Sequence, residues 1–138
     1  MRLEHINLVV RDIKRSLAFY KAACPHWNIR SKGQSEWSGK PRTWIHFGDD
    51  YNYIAICDNG ESDGRDLAGH QVGLAHIAFE TYNIKEVIFR LEQAGFSIAK
   101  PGAENLYRKN VYFLDPDGIE VEFVEYSSDL PSERNNED

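Results

Sequence analysis

Two stretches of this chain are the same strand–helix unit written twice. The first is LEHINLVVRDIKRSLAFYKAAC, from Leu3 to Cys24, and the second is LAHIAFETYNIKEVIFRLEQAG, from Leu74 to Gly95. The pairs Leu3/Leu74, His5/His76, Ile13/Ile84, Lys14/Lys85 and Ala23/Ala94 all share one offset. An internal repeat constrains a fold more than composition does, because equivalent residues must take equivalent places in a pseudo-symmetric structure. Two imidazoles at one repeat position can converge on one point, which makes a metal site the leading idea.

Each repeat continues in the same order. Residues 3–10 alternate, with Ile6, Leu8 and Val10 on one face and Leu3, His5, Asn7 and Val9 on the other. Asp12 caps a helix whose apolar stripe is Ile13, Leu17, Phe19, Tyr20 and Ala23, and Pro25 ends it. A short strand at 27–30, a polar loop at 31–40 marked by Gly33 and Gly39, and strands at 42–47 and 51–57 complete the first module. In the second, a strand at 75–81 leads to the cap Asn83, a helix with Val87, Ile88 and Leu91 inward, and the stop Gly95. Strands follow at 97–99, 110–114 and 119–126, the last two joined by the turn Asp115-Pro116-Asp117-Gly118. The reading is β-α-β-β-β twice. Modules lie at about 1–58 and 74–126, an aperiodic Gly- and Asp-rich linker spans 59–73, and a polar, acidic tail at 127–138 is expected to be frayed.

Composition removes several classes of function. A chain of 138 residues with 41% hydrophobic and 28% charged residues is one ordinary globular domain. A net charge of −6 without clustered Lys and Arg argues against nucleic acid. No apolar run suits a membrane span, and Glu4 and His5 interrupt the first apolar stretch, so it makes a poor signal peptide. Cys24 and Cys57 match no C-x-x-C pattern and read as reduced, packed thiols. Together these features place the protein in the cytoplasm.

The strand Ile119-Glu-Val-Glu-Phe-Val puts Ile119, Val121 and Phe123 on one face and Glu120, Glu122 and Val124 on the other. A wet strand face would account for both carboxylates. If Glu122 is covered, it needs a partner. Together with His5 and His76 it makes two imidazoles and one carboxylate, a ligand set for Fe(II) or Mn(II) that also suits Zn(II), Ni(II) or Co(II).

These residues carry a resemblance. LEHINLVV, RDIKRSLAFYKAA, GLAHIAFE and above all VYFLDPDGIEVEFVE resemble the vicinal oxygen chelate superfamily, also called the glyoxalase/bleomycin-resistance/dioxygenase family, over roughly residues 1 to 126. The resemblance implies an α+β fold in which two β-α-β-β-β modules form a cupped mixed sheet with helices outside, around a divalent metal. Its ligand pattern falls on His5, position 55, His76 and Glu122. Position 55 departs from it: Ala55 stands where glyoxalase I-like members have a glutamate and epimerase-like members a glutamine. Alanine can neither bind a metal nor act as a carboxylate base, so ordinary glyoxalase I chemistry is not expected.

The resemblance further implies a metal-dependent enzyme acting on a small chelating substrate: a lyase or isomerase, a thiol transferase or an extradiol-type dioxygenase. The alternative is a metal-free small-molecule binding protein of the bleomycin-resistance type. His46 is a candidate base, and Tyr112 matches a tyrosine that thiol transferases place before the D-P-D-G turn. Candidate wall residues are Asn7, Trp44, Tyr53 and Tyr107, with Arg108 as a candidate anion contact. Trp37 is read as part of a lid loop. A homodimer is expected, since single-chain two-module members commonly dimerise.

Overall fold

The structure, a computed structural model, describes residues 1–137. It divides into two compact units, Met1–Asp63 and Gly64–Asp138. The first contains β1 (His5–Val9), α1 (Ile13–Ala23), β2 (Asn28–Trp37), β3 (Lys40–Gly48) and β4 (Tyr53–Cys57). The second contains β5 (Ile77–Glu80), α2 (Ile84–Gln93), β6 (Ile98–Pro101), β7 (Arg108–Leu114), β8 (Glu120–Tyr126) and α3 (Pro131–Arg134). The fold is α+β, and the repeat is structural. Each unit has one four-stranded mixed sheet, ordered β1-β4-β3-β2 in the first and β5-β8-β7-β6 in the second. In each sheet the first and last strands of the module pair in parallel.

Alternation decides the core. In the first unit Leu8, Val10, Ile45, Phe47, Ile54 and Ile56 are buried, as are Phe19 and Tyr20 of α1. Val111, Phe113, Val121 and Phe123 do the same in the second, with Ile84, Val87 and Leu91 of α2. Burying each such side chain contributes about 1.5–3 kcal/mol, which commits the opposite face of each sheet to the remaining residues. The caps are as the sequence predicts. Asp12 accepts from the Lys14 and Arg15 amides, and Asn83 accepts from the Glu86 amide. At the end of α2, Gly95 (φ 91°) lets its own amide reach the Glu92 carbonyl and that of Phe96 reach Leu91, closing a Schellman motif.

Three expectations are corrected. Residues 31–37 are not loop: they extend β2, which pairs with β3 down to Trp37↔Lys40. Ser38 and Gly39, at φ 47° and 82°, form the two-residue turn between them. Gly33 is a strand glycine that leaves room for the Trp44 indole: a Cβ there would lie 2.6 Å from it. Trp37, expected in a lid, ends β2 with the Arg42 guanidinium 4.8 Å from its ring centroid. The tail expected to be frayed forms α3, and Arg134 grips both Glu80 oxygens at 3.0 and 2.8 Å while lying over the Tyr126 ring. A low-hydrophobicity tail is held here by a charge-assisted pair with two parallel bonds.

In the segment read as linker, the Gly60 amide donates to the Val10 carbonyl, and Arg65 donates to the Gln71 and Gly69 carbonyls. No helix among the described residues is long and apolar enough to cross a membrane, which leaves membrane-crossing by strands untouched.

Candidate functional site

The two registers define equivalent positions. His46 pairs with Ala55 as Tyr112 pairs with Glu122, and Ser31 pairs with His46 as Lys100 pairs with Tyr112. Asn7 faces Ala55 across the parallel pair as Ala78 faces Glu122. Each unit therefore presents one sheet face, opposite its core, built from matching places filled by different chemistry.

On the second unit this face is acidic and tightly bonded. His76 Nε2 lies 3.1 Å from Glu122 Oε2, and its Nδ1 lies 3.8 Å from Glu120 Oε1. Asn110 Nδ2 donates to Glu122 Oε1 at 2.6 Å and lies 3.2 Å from the Tyr112 hydroxyl. Lys100 Nζ holds Glu120 Oε1 at 3.1 Å and sits 4.2 Å from the Tyr112 ring centroid. Glu120 and Glu122 are both buried, so neither is the wet residue that alternation alone allows. Burial, then the Glu122 charge, pushes the Tyr112 hydroxyl up from the ordinary tyrosine range.

On the first unit the same places make an aromatic and cationic face. The His5 and Tyr53 rings stack at 4.5 Å with 12° between their planes, and His5 Nδ1 lies 2.9 Å from Glu4 Oε2. The His46 ring lies 4.6 Å from Tyr53 and 4.9 Å from Trp44. Ser31 Oγ is 3.1 Å from His46 Nδ1, and Arg30 lies over the Tyr53 ring at 4.7 Å. Burial, then the positive charges of His5 and Arg30, lowers the pKa of His46 from the ordinary histidine value. Asn7 Oδ1 accepts from Cys57 Sγ at 3.5 Å.

The expected site residues thus fall into two groups and a remainder. His76, Tyr112 and Glu122 come together on one face; His5, Asn7, Trp44, His46 and Tyr53 gather on the other. Arg108 and Tyr107 join neither cluster. Arg108 is bonded to Glu137 at 3.3 and 3.2 Å, and Tyr107 borders a small cavity with Glu125 and Ser127. Lys100, Asn110 and Arg30 were not anticipated. Strand parity about the Asp115 turn places Asn110 and Tyr112 on the Glu122 face, a legible signal. The bulges that aim Arg30 and Lys100, at Ile29/Ser31 and Ile98/Lys100, leave no mark in the sequence.

Among the described residues no group of three or more His, Cys, Asp or Glu side chains is arranged to hold a metal ion. The second unit supplies an imidazole and a carboxylate that already converge, with Glu120 adjacent. Both are donor types that a divalent cation takes, but two fall short of a full ligand set, and Glu120 is engaged by Lys100.

No curated protein matches the chain. Its fold matches a glyoxylase/bleomycin resistance protein/dioxygenase domain from Frankia sp. EAN1pec, at a TM-score of 0.75 and 20% identity over 99% of this chain and 98% of that one. It also matches a genomically encoded fosfomycin resistance protein, FosX, from Listeria monocytogenes, at 0.71 and 20% over 96% and 97%. The same FosX complexed with Mn(II) and sulfate ion matches at 0.65 and 21% over 98% of each chain. The profile of the Glyoxalase/Bleomycin resistance protein/Dioxygenase superfamily matches residues 2–123, and with the duplicated module it establishes that the chain belongs to that superfamily.

Proposed function

We propose that the protein is a divalent-metal-dependent enzyme of the glyoxalase/dioxygenase type acting on a small chelating substrate, and not an ordinary glyoxalase I. The observation that carries the reading is the contact of His76 Nε2 with Glu122 Oε2 at 3.1 Å, with Asn110 holding the other carboxylate oxygen at 2.6 Å. A hydrogen bond from a neighbouring amide fixes a ligating carboxylate and tunes its basicity. The third ligand of the superfamily pattern that the sequence resembles falls on His5. The Listeria FosX described with Mn(II) supports the choice of a divalent ion among Fe, Mn, Zn, Ni and Co. Cys24 and Cys57 are reduced thiols, which fits a reducing compartment such as the cytoplasm.

When bound, the ion would act as a Lewis acid toward vicinal oxygens of the substrate. The protein's own groups set the rest. Tyr112 keeps its proton and can donate it as a hydrogen bond beside Glu122. His46, its proton affinity lowered by burial and by neighbouring positive charge, is neutral at pH 7 and able to accept a proton. Ala55 offers neither ligand nor base, which argues for lyase, transferase or ring-opening chemistry over the glyoxalase proton shuttle.

The test is uptake of Mn, Fe, Co, Ni and Zn by protein freed of metal with a chelator. One divalent ion per chain is expected, lost in His76→Ala while circular dichroism stays unchanged. Absence of uptake by the wild type would leave the metal-free binding protein as the better reading.

A further inference from the structure

We infer that the aromatic face of the first unit is a binding site for a planar carboxylate, with Arg30 as the residue that holds its charge. This deepens the proposed function by naming the class of ligand that face selects. Every residue of this face lies within the unit Met1–Asp63.

Arg30 occupies a β-bulge. Ile29 pairs with Phe47 and Ser31 with His46, so two residues of β2 advance while β3 advances one. Phe47 is fully buried in the core, whereas His46 belongs to the opposite face. The extra residue bends the strand, and the Arg30 guanidinium comes to rest over the Tyr53 ring at 4.7 Å. In the second unit the matching bulge residue is Ala99, which carries no charge.

Arg30 makes no direct ion pair among the described residues: its guanidinium rests over the Tyr53 ring and is drawn toward the Asp49 carboxylate only through space. The places that bear Glu120 and Glu122 in the second unit bear Tyr53 and Ala55 here. Glu4, beside this face, is bonded to His5 at 2.9 Å, and Asp49, whose carboxyl feels Arg30, accepts from the Tyr51 and Asn52 amides at 2.8 Å each. Lys100, at the place matching Ser31, is by contrast neutralised by Glu120 at 3.1 Å. One unit thus answers its cation with a directly bonded carboxylate, and the other leaves the guanidinium without a direct ion pair.

The shape selects a flat ligand. The His5 and Tyr53 rings are nearly parallel, and His46 and Trp44 continue the wall, tilted by 32° and 38°, at ring distances of 4.6 and 4.9 Å. His46 Nδ1 is occupied by Ser31 at 3.1 Å, and its Nε2 makes no hydrogen bond among the described residues. A conjugated ring on this wall can direct its carboxylate to the planar fork of Arg30, which matches the two oxygens of a carboxylate.

The experiment compares benzoate with its neutral isostere benzamide on protein kept metal-free by a chelator. Binding is followed by tryptophan fluorescence and by the shift of the His46 ring protons. Benzoate should bind tighter than benzamide by roughly ten- to a hundredfold, the usual range for a charge-assisted hydrogen bond. Arg30→Met should erase that preference, and Arg30→Lys should keep part of it. Arg30 is exposed, so both variants should fold, which circular dichroism checks. Equal binding of the two probes, no binding of benzoate, or a preference surviving in Arg30→Met would each overturn the inference. Because no metal is present, failure to take up metal would sink the proposed function and leave this preference standing, and the reverse also holds.

Discussion

Ala55 and Glu122 hold the same place in two copies of one module: each lies on the strand that runs parallel to the module's first strand, opposite Asn7 and Ala78 respectively. One copy has kept a carboxylate and the other has a methyl group. Much of what the protein is expected to do follows from that difference.

Replacing Ala55 with glutamate should tighten metal binding, measured by competition with a chromophoric chelator. Ala55 is buried, so the new carboxylate should cost the metal-free protein about 1–3 kcal/mol, recovered when metal is added. The wild type should show little or no turnover of the methylglyoxal–glutathione hemithioacetal with any divalent ion. Robust turnover would mean that another residue, such as His46, replaces the missing carboxylate, and unchanged affinity in Ala55→Glu would mean that residue 55 does not face the ion.

Asn110 orients the carboxylate on which the metal reading depends. Asn110→Ala removes the 2.6 Å bond to Glu122 and should weaken metal affinity by roughly 10- to 100-fold, the usual effect of losing an outer-shell partner. Calorimetric titration with Mn(II) or Zn(II) measures it. An unaltered affinity would show that Glu122 needs no help to stay in place.

The tail offers a pH test. The bond from Arg134 holds the Glu80 carboxyl below its ordinary range, with burial opposing. A carboxyl depressed in the folded state adds stability at pH values above its unfolded pKa, about 4.3, and loses it as pH falls through the folded value. Wild type should therefore exceed Glu80→Gln by a constant margin from pH 6 to 8, and the margin should shrink once pH falls below about 4.3 and vanish below the depressed folded value. Proteolysis of residues 127–137 across that range is a direct readout. A margin that persists at the acid end would detach the effect from this pair.

Gly33→Ala should destabilise by about 1–3 kcal/mol through overpacking, because its Cβ would sit 2.6 Å from the rigid indole of Trp44. Thermal unfolding gives the loss, and tryptophan emission should shift as Trp44 is displaced. A neutral effect would show that the indole has room to move.

The sequence displayed the repeat, both helix caps and the faces of β1, β3, β4 and β8, because period and capping chemistry are local. His76 and Glu122 were legible for the same reason, since parity sets which side of a strand a residue faces. The length of β2 was not, because Gly33 and the polar run around it carry the marks of a loop. Only pairing with β3 makes that run a strand, and pairing is a property of the partner. The order in α3 was hidden likewise: Glu80 and Tyr126, which hold Arg134, lie far from it in the chain. Lys100 and Arg30 stayed out of sight because a bulge changes parity without changing composition.

That change of parity also makes Arg30 the one residue of β2 that the ladder does not count. Ile29 and Ser31 are paired with consecutive residues of β3, Phe47 and His46, so the pairing from Ser31 to Trp37 does not need an intervening residue. Loss of a residue at any later point in the strand would turn every side chain beyond it to the wrong face. Position 30 is instead a register-neutral place, where length and side chain can drift while the hairpin stays in phase. The same holds for Ala99 between Ile98 and Lys100. A duplicated module thus carries in each copy one spot where a new function can be written without rewriting the fold.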